Sequence, residues 1–285
     1  MIKKYLFYIA LLVGISSIIS VNAEAMSLNT SYSGGELKVG NVSLVDVYID
    51  TEGKEINTLE GSVKIDGSVE VVSINTAGSV FTLWPNKPSY GSDGAITFVG
   101  GTTDSVFGSR LKVFTVALKP TSKEKILFSF SNLTAYLADG SATSIAFTSE
   151  KKILEVGAGI DTPTNELANK ILSDRTPPSP FIVLRSRDSS VFDGKYFISF
   201  GAQDDETGIL RYEVKEGDLP RVRSGTTYVL QKQNVKDDIE VYAIDLAGNE
   251  RVEKIKGQGA PIWYYIIVII LMVGIIFRVR KFLKK

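Results

Sequence analysis

Val45-Asp46-Val47-Tyr48-Ile49-Asp50 is the stretch on which the fold of this chain turns. Its β-branched apolar residues fall at every second position with more polar residues between them, the period of a strand with one buried and one wetted face. The period recurs outward from it. Val63 and Ile65 alternate with Lys64 and Asp66, and Phe114, Val116 and Leu118 repeat the pattern, as do Ile126, Phe128 and Phe130. A β-branched run covers 69–74, Ala95-Ile96-Thr97-Phe98-Val99 follows a Ser-Asp-Gly turn, and Ile145, Phe147, Ile153 and Leu154 close the series. About eight or nine strands with no amphipathic helix among them predict an antiparallel β-sandwich over residues 24–156, in an all-β protein.

A break in composition follows. Residues 157–180 hold Gly157, Gly159, Pro163, Pro177, Pro178 and Pro180, the make-up of a linker, in which only 165–173 suits a helical turn or two. From 181 to 256 a second β pattern appears, clearest in Phe197-Ile198-Ser199-Phe200, Leu210-Arg211-Tyr212-Glu213-Val214 and Ile239-Glu240-Val241-Tyr242-Ala243-Ile244. Its size and spacing predict a smaller immunoglobulin-like sandwich.

The two ends are apolar and basic in different ways. Lys3 and Lys4 precede a short apolar stretch and Val21-Asn22-Ala23, which together read as a signal peptide over 1–23. Residues 261–277 form an almost unbroken apolar run opened by Trp263, Tyr264 and Tyr265. Residues 278–285 then carry Arg278, Arg280, Lys281, Lys284 and Lys285. Such a run is at the short end of what spans a bilayer, and basic residues after it favour the cytoplasmic side. The expectation is a single-pass protein of the cell membrane with both β domains outside and a short basic tail within.

The chain has no Cys and no His. That removes disulfides, Cys and His nucleophiles, the Ser-His-Asp triad and the usual zinc sites. The 32 basic and 32 acidic residues balance, but seven of the basic ones lie in the leader and tail, where there are no acids. The remainder is acidic, which argues against nucleic acid as a partner.

The first domain resembles cohesin domains. The resemblance rests on Leu37-Lys38-Val39-Gly40, the strand 45–50, Ile56-Asn57-Thr58-Leu59-Glu60-Gly61-Ser62-Val63, Leu83-Trp84-Pro85 with Ser92-Asp93-Gly94-Ala95-Ile96-Thr97-Phe98, and Leu137-Ala138-Asp139-Gly140-Ser141-Ala142, in that order. It implies a non-catalytic, jelly-roll-like sandwich shared with carbohydrate-binding modules of families 2 and 3. In the family's cellulosomal members the partner is a dockerin, a small calcium-loaded protein module. The second domain resembles bacterial immunoglobulin-like or fibronectin type III-like repeats. Here the pieces are Asp204-Asp205-Glu206-Thr207-Gly208-Ile209 leading into Tyr212-Glu213-Val214, and Ala243-Ile244-Asp245-Leu246-Ala247-Gly248-Asn249.

Candidate ligand-binding residues are Trp84, Asn86 and Tyr90, since a flat aromatic face with polar neighbours suits a pyranose; the bland alternative has Trp84 capping the core. Asp204, Asp205, Glu206 and Asp245 suit a hard cation such as calcium, but they lack EF-hand spacing and fit solvated turns, so no metal or other cofactor is assigned. A glycosidase needs two placed carboxylates, and no pair is marked among the many acids. The expected function is non-catalytic recognition at the cell surface through a dockerin-type or other protein partner. A carbohydrate-binding module attaching the cell to polysaccharide and a structural envelope stalk are the alternatives.

Overall fold

The computed structural model describes residues 25–258 and 262–283, with the side chains of 262–265, 268, 277 and 281–283 left out. The expected signal peptide, 1–23, lies outside the described residues.

The first unit is two antiparallel sheets. One has the order β1 (Ser27–Ser31), β3 (Ser43–Asp50), β8 (Leu111–Pro120), β5 (Val69–Asn75). The other runs β10 (Ser144–Phe147), β9 (Ile126–Leu137), β4 (Ile56–Asp66), β7 (Ala95–Val106), β6 (Leu83–Tyr90), with β11 (Lys152–Leu154) also on β9. A parallel pair, β2 (Leu37–Lys38) with β12 (Val156–Gly157), brings the end of the unit back to its beginning. The β3 side chains alternate strictly between buried and half-buried, as the period of Val45, Val47 and Ile49 requires. Phe98 and Phe114 meet edge to face across the core at 5.2 Å, among Leu59, Val63, Ile96, Val116 and Phe128. The core thus lies between the sheets, and each sheet keeps one outer face. The cost of a misplaced polar group appears at Thr30, whose side-chain oxygen is buried without a partner among the described residues.

The connector is not a free linker. Helix α1 (Glu166–Ser173) is capped by Asn165, whose Oδ1 accepts the Ala168 N–H at 2.9 Å. Its first residue, Glu166, accepts from Tyr32 Oη at 2.8 Å and from the Leu44 N–H at 2.9 Å, clamping the helix to β3. Proline and glycine mark the connector in composition, and these long-range bonds hold it in place.

A second unit follows, again of two sheets: β13 (Val183–Arg187), β14 (Tyr196–Phe200), β17 (Thr227–Val229), and β16 (Val222–Ser224), β15 (Ile209–Glu216), β18 (Ile239–Asp245), β19 (Glu250–Ile255). Ile198, Phe200, Val214, Leu230, Ile239 and Val241 form its core. Hydrogen bonds join it to the first unit: Gly78 N–H donates to the Asp204 carbonyl at 3.0 Å, Gln203 Nε2 to the Ser79 carbonyl at 2.8 Å, and Asn75 Nδ2 to the Thr207 carbonyl.

Helix α2 (Ile262–Leu283) ends the described chain. Its described apolar side chains are exposed, among them Ile269, Ile270, Leu271 and Met272. No helix among the described residues is long and apolar enough to cross a membrane, and the expected span, 261–277, is described only in part.

Candidate functional site

The outer face of the six-stranded sheet is built from cross-strand rows. Tyr136, Thr58, Gly101 and Leu83 form one, Thr134, Glu60, Val99 and Asn86 a second, and Ser131, Ser62, Thr97 and Ser89 a third. Their neighbours along each strand, Leu59, Val63, Ile96, Phe98 and Ala135, are buried, so the rows point away from the core. The surface carries mainly small hydroxyl side chains, with Tyr136, Val99 and Leu83 as its larger members, and Thr58, Glu60, Val99 and Tyr136 line an open depression on it with Gly140 and Ala142. Tyr136 Oη donates to Glu60 Oε1 at 3.1 Å, and this bond to a carboxylate raises the phenol above its ordinary value. The opposite outer face, on the four-stranded sheet, is different. Leu44, Ser73 and Thr115 there lie against Leu167 and Lys170 of α1 and against Glu206 and Thr207 of the second unit.

The three candidate residues of β6 do not share a face. β6 is an edge strand containing Pro85 and Pro88, as edge strands tolerate. Leu83 pairs with Gly101 and Asn86 with Val99, so one extra residue lies between them on β6, and the same happens between Asn86 and Ser89. Each extra residue reverses the alternation. Asn86 therefore stands on the outer face with Leu83, whereas Trp84 is turned against the core. Its indole meets Phe81 edge to face at 6.2 Å. A Cβ on Gly100 would stand 2.7 Å from its Cζ3, so the ring lies directly on that glycine. Tyr90 is exposed at the far end of the strand. The prolines at 85 and 88 were the signal in the sequence that simple alternation would fail here.

Trp84 instead lines a cavity of about 210 Å³ between the two units, with Phe81, Lys87, Gln203, Asp204 and Tyr212. Neither Asn86 nor Tyr90 lines it. The Tyr212 hydroxyl is occupied on the Ala202 backbone, accepting the N–H at 2.9 Å and donating to the carbonyl at 3.2 Å.

Beside this cavity the acidic turn departs from the expectation of a solvated loop. Asp204 and Asp245 are buried, and so is Asp174 just after α1 in the connector, a residue that sequence reasoning did not single out. Asp205 and Glu206 remain outside. One carboxylate oxygen from each buried aspartate lies within 4.8 Å of the others. Hydrogen bonds explain the burial. Asp204 Oδ1 accepts the N–H groups of Glu206, Thr207 and Gly208 at 3.1, 2.7 and 2.7 Å. Thr207 Oγ1 donates to Asp174 Oδ2 at 2.6 Å, and Asn249 Nδ2 donates to Asp245 Oδ2 at 2.9 Å and to Asp174 Oδ1 at 3.4 Å. Gly208, at φ +80°, permits the tight turn that aims these N–H groups. Burial pushes the Asp204 carboxyl up; the Gly208 and Thr207 N–H groups oppose this, and the charges of Asp174 and Asp245 reinforce it. Three convergent oxygens are a donor set that a hard cation accepts, and equally a polar joint tying connector, β15 and β18 together.

No family model matches this chain, and no curated protein matches it. Among solved structures it is similar to a cohesin module from a family 33 glycoside hydrolase of Clostridium perfringens. That match has 11% identity and a TM-score of 0.40, over 47% of this chain and 98% of that one. A non-cellulosomal cohesin from the archaeon Archaeoglobus fulgidus matches at 13% identity and TM-score 0.39, over 47% and 92%. The sixth cohesin of scaffoldin B from Acetivibrio cellulolyticus, solved in complex with a Cel5 dockerin mutant, matches at 17% and 0.38, over 47% and 100%.

Proposed function

We propose that this chain is a non-catalytic docking protein of the cell surface. Its first unit binds a protein partner of the dockerin kind through the outer face of β9, β4, β7 and β6. The observation that carries the reading is the asymmetry of the two outer faces. The four-stranded face is covered in part by α1 and the second unit, while the six-stranded face stays open and lined with hydroxyls. Interfaces of this kind take their affinity from a few central anchors, here Tyr136 and Val99, inside a polar surround. The sequence resemblance to cohesins supports the partner class. The second unit, immunoglobulin-like in this reading, serves as a spacer.

The same proposal anchors the chain in a membrane through 261–277, with both units outside. The apolar run counted over the whole sequence supports it, because Trp263, Tyr264, Tyr265, Val268 and Phe277 belong to that run.

The test is capture by the full-length protein in detergent, offered the secreted proteins of its source cell and a panel of dockerin modules, with and without calcium. A saturable partner whose binding falls at least about tenfold in Tyr136→Ala, by the usual cost of losing an anchor, supports the reading. Binding to a polysaccharide panel that Trp84→Ala abolishes, with no protein partner, overturns it. Release of the protein from membranes by alkaline wash overturns the anchor alone.

A further inference from the structure

The loop 188–195 joins β13 to β14 and presents Val191 and Phe192, 38% and 43% exposed. Phe192 and Asp193 both adopt left-handed backbone, at φ 52° and 54°. For a bulky residue such as Phe that conformation is strained, and it persists only where the surroundings enforce it. They do so here. Arg187 Nε donates to the Gly194 carbonyl at 2.7 Å while its guanidinium lies 5.0 Å from the centre of the Tyr196 ring. Phe192 meets Phe197 edge to face at 5.1 Å. By the β13–β14 register, Leu184 shares the outer face of the sheet with Phe197 and is also exposed. The result is a built apolar corner where a solvated turn would carry Gly, Asn or Asp.

Its position names the partner. The root of the loop is Tyr196, whose N–H and carbonyl both bond to Gln233. On the neighbouring strand, Arg185 Nη1 donates to the Val235 carbonyl at 3.4 Å, and the same carbonyl accepts the Gln258 N–H at 2.6 Å. The corner and the exit of the chain toward α2 therefore lie at one end of the second unit. Four residue steps separate Gln258 from Ile262, at most about 14 Å of extended chain.

Resting on the reading of α2 as a membrane anchor, we infer that Val191 and Phe192 seat in the headgroup–acyl boundary of the bilayer that holds α2. Arg187 and Lys195 flank the corner, and Asp188 and Asp193 offset them, so the contact is apolar and forms on zwitterionic lipid. Such a second foothold fixes the tilt of the docking face relative to the membrane.

The absence of native cysteine makes the test direct. Full-length Phe192→Cys and Lys123→Cys, the latter in the β8–β9 turn of the first unit, are labelled with an environment-sensitive fluorophore and reconstituted in phosphatidylcholine vesicles. Shallow spin-labelled lipids are expected to quench the probe at position 192 at least about threefold more than at 123, with protection from aqueous iodide. Equal iodide access at both sites, in protein that resists alkaline wash, overturns the inference and leaves the anchor standing. Release by alkaline wash overturns the anchor and the inference with it. Protection at 192 that rises with protein concentration in detergent and shows no lipid quenching assigns the corner to a second copy, and also overturns it.

Discussion

Thr30 and Asp204 show at the residue scale how this molecule treats buried polarity. Thr30 sits in β1 at 1% exposure with its hydroxyl unpaired among the described residues, and such a group costs about 1–3 kcal/mol when left without a partner. Thr30→Val keeps the shape and removes the orphan, so denaturant unfolding is expected to show a gain of about 1 kcal/mol. Asp204 is buried with partners, but its folded pKa lies above the ordinary 3.8. A raised carboxyl pKa means that the native state holds its proton longer than the unfolded chain does. Its favourable contribution is complete below 3.8 and is lost as pH rises through the folded value. Asp204→Asn keeps an acceptor for the three N–H groups without the charge. In chelating buffer its thermal midpoint is expected above wild type at neutral pH, with the gain vanishing as pH falls toward 3.8. A lower midpoint at neutral pH sinks this account of the joint.

Elements carry the next level of the argument. Much of the strand pattern is legible in the sequence, because burying one face of a sheet is a local rule that Val45, Val47 and Ile49 obey on their own. Asp245 and Asn249 are likewise readable as turn residues, and Asp245 Oδ1 accepts the Asn249 N–H at 2.8 Å. The rule fails at β6, where one extra residue between Leu83 and Asn86 brings Asn86 to the outer face while Trp84, next to Leu83, stays inward. Alternation cannot register an insertion that only the partner strand reveals. Gly100→Ala is expected to clash with the Trp84 ring, displacing the indole and costing about 1–3 kcal/mol as overpacking does. Trp84 fluorescence shifted to the red, read in a Trp263→Phe background, is the check. Helix α1 depends on its cap and clamp. Asn165→Ala is expected to cost about 1 kcal/mol and to speed hydrogen exchange over 166–173 while β3 stays protected.

The whole molecule behaves as two sandwiches joined by a built joint. Asn75, Gln203 and the Gly78–Asp204 backbone bond cross it, and Asp174 binds the connector into the second unit. One calorimetric transition is therefore expected for the intact protein. Asn75→Ala combined with Gln203→Ala is expected to separate it into two; a single unchanged transition would show that other contacts couple the units. Strand periodicity, the chemistry missing for want of Cys and His, and the apolar and basic ends all stand in the linear chain, because each depends on near neighbours or on composition alone. The exposed outer face of the six-stranded sheet, the inward Trp84 and the buried aspartates do not. Asp174 and Asn249 are 75 positions apart and meet only because the connector folds back on the second unit. A carboxylate that reads as a wetted turn residue in one dimension becomes a buried joint when distant N–H and hydroxyl donors converge on it, and burial of that kind is a property of the assembled chain.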